Sequence, residues 1–385
     1  MSITKRLMKI SFRLASVSYK KNRYVNDIDA QKAYLASFPA PKDLLERSYF
    51  QYKCQKKLQS GLVKVFYGIA SFFSCPVLWI LLFCHKKSAP VERPEGKVAV
   101  TVKGDKSDSV IPWVLSEEFA LFSLPAGDGY LTGKDRAVLG ALLRYWYAPE
   151  FICKCLLKVS QYRRALDMFS PDAIIGCSEF SFTSSVCTWF LRREGVEHIN
   201  VMHGEKTYLI RDSFVSYDRF YVWDKVYADL LQTLGASPEQ FRVEIPPALC
   251  FDLSQKIEKE YDFTYYLGAE KSEDLVRLAD ALHRLQNAGY TVNVRPHPRY
   301  TDLAAAKSIL TGISVEDFKE IRLEVSVLRS RRVISQQSTV LLQAFCNGVP
   351  CVIDDVTDPN LYRRSQKEGY VMLKKEHTLL SALIS

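Results

Sequence analysis

Two histidines stand directly after apolar runs that predict β-strands. His203 follows residues 198–202, and His297 follows residues 291–295 after one proline. Ligands of open parallel sheets sit beyond the carboxyl ends of the strands, so polar side chains at these positions are candidates for chemistry. Imidazole titrates near neutral pH and can act as a general base or a hydrogen-bond donor. The alternative for each residue is an ordinary core or turn histidine.

The segment around His297 has the composition of a phosphate site. Pro296 and Pro298 fix the backbone on both sides of the histidine, and Arg295 and Arg299 add positive charge. We therefore predict that these five residues bind a phosphate group. A rigid turn with an incidental histidine is the alternative interpretation.

A second candidate phosphate site begins a predicted helix. Ser338 and Thr339 follow the strand-like residues 332–335, and free amides and hydroxyls at a helix amino terminus favour an anion. An ordinary N-cap by Ser338 is the alternative. Both candidate sites follow strands of one alternating series, so we expect them at the same edge of one sheet.

In combination these motifs resemble a known group of transferases. VRPHPR, followed by SQQSTVLLQAFCNGVPCVI, resembles the HP and Ser/Thr motifs of bacterial sialyltransferases, polysialyltransferases and capsular Kdo transferases. VMHGEK is similar to the first-half motif of CDP-glycerol glycerophosphotransferases. The resemblance covers roughly residues 97–372. It implies the GT-B fold, in which two Rossmann-like domains face a cleft that holds the active site.

The resemblance also implies a function. The expected reaction moves a sugar from a nucleotide donor, with CMP-sugars such as sialic acid or Kdo favoured, to a membrane-linked glycan of a capsule, O-antigen or lipopolysaccharide. A CDP-alditol phosphotransferase, a UDP-sugar transferase and an inactive membrane-bound assembly scaffold are the alternatives.

Such a reaction needs a base for the acceptor hydroxyl. His203 is the leading candidate, and Glu205, Glu179 and Asp128 are the others. Asp128, between two glycines, is the nearest match to the family's base motif, which carries two acids rather than one. The two predicted Rossmann-like domains contain no Asp-x-Asp triplet, so we expect neither a metal nor a cofactor.

Positive charge is concentrated at the start of the chain. The net charge is +9, yet residues 1–64 contain 14 Lys/Arg and 4 Asp/Glu, which leaves the remaining residues close to neutral. A neutral body argues against a nucleic-acid groove, and a basic leader indicates an anionic membrane surface as its partner.

Two N-terminal segments predict membrane association. Apolar residues recur at helical spacing over residues 3–17, with basic residues on another face. Residues 65–84 then form an uncharged run that is just long enough to cross a bilayer, with Pro76 near its centre. Lysines flank both ends of this run, and a basic leader is poorly translocated, so we favour monotopic or peripheral attachment at the cytoplasmic face of a bacterial inner membrane.

Beyond these segments the chain alternates between strand and helix patterns. We predict eight strands, over residues 97–103, 172–177, 198–202, 219–223, 263–267, 291–295, 332–335 and 350–354. Alternation of this kind predicts an α/β fold with parallel sheets covered on both faces. We divide the chain into a membrane-associating helical segment (1–95), an N-terminal Rossmann-like acceptor domain (96–247) and a C-terminal Rossmann-like nucleotide-sugar-binding domain (248–385).

Overall fold

The protein, seen in a computed structural model that describes residues 23–84, 87–102, 108–252 and 257–385, forms two compact units. The first unit contains the described residues up to His203, together with Tyr208–Glu244. The second contains Ile245–Ser385 and the short segment Gly204–Thr207, which directly follows His203 in the chain. The amphipathic pattern over residues 3–17 lies outside the described residues.

In the part of the chain that the structure describes, twelve strands form two parallel sheets of six. The first sheet has the order β2-β1-β3-β4-β5-β6, and the second has the order β12-β11-β10-β7-β8-β9. The strands are β1 (Val98–Val102), β2 (Ala120–Ser123), β3 (Ala173–Gly176), β4 (Glu197–Val201), β5 (Arg219–Val222), β6 (Phe241–Val243), β7 (Tyr261–Tyr266), β8 (Val292–Arg295), β9 (Ser314–Val315), β10 (Ser330–Ser335), β11 (Cys351–Ile353) and β12 (Thr378–Leu379).

Helices connect these strands and cover the sheets. They are α1 (Arg23–Asn26), α2 (Ile28–Ala36), α3 (Leu44–Lys57), α4 (Gly61–Cys84), α5 (Trp113–Glu118), α6 (Arg136–Leu142), α7 (Pro149–Phe169), α8 (Ser184–Arg193), α9 (Lys225–Thr233), α10 (Ser272–Asn287), α11 (Leu303–Ile309), α12 (Leu323–Leu328), α13 (Thr339–Cys346) and α14 (Pro359–Glu368). The prediction of an α/β chain with two Rossmann-like halves is confirmed.

Helix α10 illustrates how the sequence produces these elements. Leu275, Leu278, Leu282 and Leu285 recur at intervals of three and four residues, and all four are buried in the core of the second unit. The chain leaves the helix through Gly289, whose φ of +90° lies in the left-handed region that glycine adopts without a Cβ clash. All four residues of β8 are buried, because parallel strands are covered on both faces.

Helix α4 corresponds to the apolar run and lies against the first unit. Cys75 and Leu82 are buried in the same core cluster as α7, and the Cys75 thiol lies 3.6 Å from the Pro149 carbonyl oxygen. The side chains of α4 that point away from this core remain exposed to solvent, with Phe66 62% and Phe73 71% exposed. Among the described residues one helix, over Val63–Cys84, is long and apolar enough to cross a membrane, and only 17% of its apolar 18-residue stretch is buried. The helix continues through Pro76.

Candidate functional site

His203 and Glu179 form a hydrogen-bonded pair at the edge of the first sheet. Glu179 follows β3, His203 follows β4, and these parallel strands are neighbours. The imidazole Nδ1 lies 2.9 Å from one carboxylate oxygen of Glu179 and 3.0 Å from the other. The Glu179 side chain is fully buried, whereas His203 is 12% exposed. The structure thus unites two of the four candidates for the base.

This geometry defines the tautomer of His203. A carboxylate is an acceptor, so Nδ1 must carry the hydrogen that it donates to Glu179. The other ring nitrogen, Nε2, is then a hydrogen-bond acceptor that can receive a proton. The Phe180 ring lies edge-on to the imidazole, with 5.5 Å between ring centroids, and helps fix its orientation. A histidine held in this way has the arrangement of a general base.

The loop that carries Glu179 is held by helix α3. The Gln51 side-chain amide donates to the Glu179 backbone carbonyl at 3.3 Å, and the Ser48 hydroxyl donates to the Phe182 carbonyl. On the sheet side, the Ser178 amide donates to Asn200 Oδ1 at 3.0 Å. Sequence reasoning missed these supports, because a polar residue within a helix has no local signal for a partner more than a hundred positions away. Helix α3 therefore belongs structurally to the candidate site.

Glu205 has a different environment from Glu179. It lies in the Gly204–Thr207 segment of the second unit, and burial raises its pKa to about 8. Its Oε1 is shielded from solvent and has no hydrogen-bond partner among the described residues. A carboxyl group with this pKa is mostly protonated at neutral pH, so Glu205 is a proton donor rather than a base.

Asp128 lies in a different part of the first unit. It is exposed in the loop after β2, and strands β1 and β3 separate β2 from β4. The glycines beside it have a packing role. A Cβ on Gly129 would lie 2.3 Å from Ser160 Oγ, and one on Gly127 would lie 2.6 Å from the Arg164 guanidinium carbon. Close packing therefore accounts for this glycine pattern.

His297 is held in a defined orientation at the end of β8. Its Nδ1 accepts the Arg299 backbone N–H at 3.0 Å, and its ring stacks on Tyr300 with centroids 4.4 Å apart. Burial and the nearby Arg299 charge lower its pKa below the ordinary value. The ring is therefore neutral at pH 7, with its hydrogen on Nε2, where it can donate to a ligand oxygen.

The residues beside His297 have separate roles. Arg295 is buried, pairs with Glu316 and donates to the Ile321 carbonyl at 2.9 Å. Its guanidinium thus braces this edge of the second sheet. Pro296 is buried, whereas Pro298 and Arg299 are exposed. Arg299 is consequently the more accessible positive charge of the predicted phosphate segment.

Ser338 and Thr339 begin helix α13 after β10. Ser338 Oγ caps the helix by accepting the Val340 N–H at 3.2 Å, and the Ser338 amide donates to the Tyr370 hydroxyl at 3.1 Å. Strands β8 and β10 both flank β7 in the parallel sheet, so the His297 segment and the start of α13 lie at the same edge. They are separated along that edge by the end of β7.

The described residues contain no cluster of three or more His, Cys, Asp or Glu side chains that could hold a metal ion. The N-terminal segment contains an Asp-x-Asp triplet, Asp27–Asp29, and its first carboxylate accepts the Ala30 N–H as the cap of α2. This triplet therefore has a structural role as a helix cap.

Several solved structures are similar to this chain. A putative UDP-N-acetylglucosamine 2-epimerase from Listeria monocytogenes is 15% identical, with a TM-score of 0.45 over 75% of this chain and 86% of its own. The calicheamicin glycosyltransferase CalG4 is 10% identical, with a TM-score of 0.42 over 74% and 85%. The wall teichoic acid polymerase TagF is 12% identical, with a TM-score of 0.40 over 76% and 79%.

No protein-family model matches the chain, and no curated protein matches it. Likenesses as distant as the three above assign no activity, so the function has to be argued from the residues themselves.

Proposed function

We propose that the chain is a glycosyltransferase of bacterial surface polysaccharide synthesis. The observation that carries this proposal is the Glu179–His203 pair, with 2.9 Å between Nδ1 and the nearer carboxylate oxygen, at the carboxyl ends of two neighbouring parallel strands. A partly exposed imidazole backed by a buried carboxylate suits the removal of a proton from a hydroxyl group. The sequence motifs supply the rest of the proposal.

In the proposed reaction, His203 Nε2 accepts the proton of an acceptor hydroxyl. The hydroxyl oxygen forms a bond to the anomeric carbon of the donor sugar, and the bond from that carbon to the phosphate oxygen breaks. Its electrons remain on the departing nucleotide. Glu179 stabilises the imidazolium that forms, as a buried carboxylate does in other histidine-containing catalytic groups.

We propose that the second unit holds the donor nucleotide. The neutral His297 can donate from Nε2 to a phosphate oxygen, and the hydroxyls of Ser338 and Thr339 stand at the amino terminus of α13. Helix amides and hydroxyls favour phosphate without a metal ion. A CMP-linked sugar is the favoured donor, and Arg299 is the exposed cation nearest in sequence to His297.

We further propose a membrane-linked acceptor and a location at the cytoplasmic face of the inner membrane. Two observations support this proposal: the basic leader and the exposed apolar side of α4. On that side, Phe72 and Phe73 are 66% and 71% exposed. An enzyme with two soluble substrates would gain little from such an anchor.

The Glu179–His203 pair is also compatible with a second candidate reaction. A CDP-alditol phosphotransferase also needs a base for a hydroxyl, and its substrate also carries a nucleotide leaving group, so the motif VMHGEK is compatible with it. A UDP-sugar transferase differs only in the donor base. An inactive assembly scaffold would contain the fold without turnover.

A panel of nucleotide donors distinguishes these candidate functions. We expect a CMP-sugar to raise the melting temperature and to support transfer, because a ligand that binds the native state stabilises it. His203→Ala should lower kcat about 10²–10⁴-fold and leave the donor-induced thermal shift intact. Transfer from CDP-glycerol or a UDP-sugar alone would select the alternatives. Undiminished transfer by His203→Ala would refute the proposed base.

A further inference from the structure

A basic, tyrosine-lined pocket lies at the amino-terminal end of α4. It encloses about 360 Å³ and is lined by twelve residues of the first unit. Four of them are tyrosines and one is a glutamate, while four are lysines: Lys53, Lys56, Lys57 and Lys64. A pocket with this lining attracts an anion.

The glutamate in the lining leaves most of this positive charge in place. Glu150 is 2% exposed and is already bonded by two ammonium groups, those of Lys56 and of Lys154 at 2.8 Å. Burial and the neighbouring Lys57 and Lys56 lower the pKa of Lys64, as expected where like charges crowd together. A bound anion would relieve this repulsion.

The tyrosines add neutral donors to the ammonium groups. Burial raises the pKa of Tyr34 to about 12 and shifts the pKa of Tyr49 in the same direction, so both phenols stay protonated at physiological pH. Their O–H groups can donate to an oxyanion. Ammonium and phenol donors around one cavity suit the several acceptor oxygens of a phosphate group.

The surroundings of the pocket indicate a lipid rather than a soluble anion. Lys64 and Gly68 of α4 line it, while Val65 and Ile69, beside them on the same helix, are 60% and 58% exposed. At the rim, Tyr147 is 57% exposed, and the adjacent residue in the chain, Trp146, is 75% exposed. Tyrosine and tryptophan are typical of the membrane–water interface.

We propose that this pocket binds the terminal phosphate of a membrane lipid whose chains lie along the exposed apolar side of α4. The lysines neutralise the phosphate charge, the phenols donate to its oxygens, and the aromatic rim lies at headgroup depth. The interaction is independent of sugar transfer, so it can be tested without any donor or acceptor.

Vesicle binding by the full chain provides the test. The probe is phosphatidic acid in phosphatidylcholine vesicles, compared with phosphatidylserine at a fraction adjusted to the same surface potential. The variant carries Lys53→Gln, Lys57→Gln and Lys64→Gln, and it keeps Lys56 because of its pairing with Glu150. A control of equal net charge carries substitutions of exposed lysines in the second unit: Lys307→Gln, Lys319→Gln and Lys367→Gln.

We expect the wild-type chain to prefer phosphatidic acid, and the pocket variant to lose about tenfold or more in affinity for it. The control and a triple Lys→Arg variant should retain the preference, and melting temperatures should show that all variants are folded. Equal losses in the pocket variant and the control would overturn the proposal. A second result would also overturn it. If the wild-type chain showed no lipid preference, and soluble pyrophosphate raised its melting temperature only when the three lysines were present, the ligand would be a free phosphate.

Discussion

At the scale of single residues, the assignment of His203 as the base depends on the carboxylate behind it. Glu179 is fully buried and contacts Nδ1, so it affects the reaction through the imidazole and not through the substrate. It is therefore a positioning residue, and its removal should lower the rate of the reaction rather than the affinity for the donor.

Glu179→Gln tests this role. We expect kcat to fall about 10²–10⁴-fold with little change in donor KM, because the amide can favour the wrong tautomer and no longer stabilises the imidazolium. Asp128→Asn, in the exposed loop after β2, is the matched control and should leave kcat unchanged. The opposite ranking of the two variants would make Asp128 the base.

Glu205 provides a prediction about stability and pH. Its folded-state pKa of about 8 lies above the ordinary value of 4.5, so the folded protein binds more protons than the unfolded chain between these pH values. Stability should thus fall as pH rises through this window, by at most about 1.4 kcal/mol per pH unit. Glu205→Gln should remove this slope. Its melting temperature should exceed that of the wild-type chain at pH 8 and match it at pH 4.5, and a difference of the same size at both pH values would contradict the burial argument.

His297 and Ser338 should fail in different ways when they are replaced. His297→Ala removes a donor whose interaction strengthens as charge develops on the leaving phosphate, so kcat should fall about 10²–10³-fold. Ser338→Ala should chiefly weaken nucleotide binding, and the loss of the N-cap should also cost about 1 kcal/mol of stability. Ser338→Thr keeps both hydroxyl functions and is the control. Steady-state kinetics and donor titrations distinguish these outcomes, and equal kcat losses without a binding change would contradict a shared phosphate site.

At the scale of elements, the central strands and the edge strands differ in how far they could be foreseen. The eight strands predicted from the sequence correspond to the inner strands of both sheets, where burial on two faces favours apolar residues over much of each strand. The four that were missed, β2, β6, β9 and β12, all lie at sheet edges. They are two to four residues long and partly exposed, so they have no comparable pattern.

The residues of the candidate site and the contacts between them also differ in how far the sequence predicts them. His203 and Glu179 were both identifiable because each follows a predicted inner strand. Their contact depends on β3 and β4 being adjacent, which no local pattern specifies. The support of the Glu179 loop by Gln51 is a still longer-range contact, between residues 128 positions apart.

A prediction at the scale of elements concerns the exposed apolar side of helix α4. Phe72 and Phe73 contribute little to the folded core, so the double change Phe72→Ser and Phe73→Ser should leave the melting temperature unaltered. Vesicle binding should weaken about tenfold or more, since burial of one such side chain contributes roughly 1.5–3 kcal/mol. Val276→Ser, at a 59% exposed position of α10 in the second unit, is the control. Unchanged flotation of the double variant would show that this side of α4 does not enter the membrane.

At the scale of the whole molecule, charge and fold together determine how membrane attachment can be tested. Helix α3 holds the loop of Glu179, so removing everything before the first strand would damage the candidate site along with the anchor. Removing residues 1–22 alone avoids this. That stretch contains six Lys/Arg and no acidic residue, whereas the chain after residue 64 is nearly neutral.

The shortened chain should separate attachment from chemistry. Each lysine or arginine near an anionic surface contributes about 1 kcal/mol, so loss of the leader should weaken binding to anionic vesicles and reduce its dependence on salt. Transfer to a soluble glycan should be unaffected, because the Glu179–His203 pair and α3 remain. Transfer to the same glycan carried on a lipid in vesicles should exceed soluble transfer for the full chain, since attachment raises the effective acceptor concentration. That advantage should shrink for the shortened chain, and equal rates on both acceptors with the full chain would contradict a membrane-linked substrate.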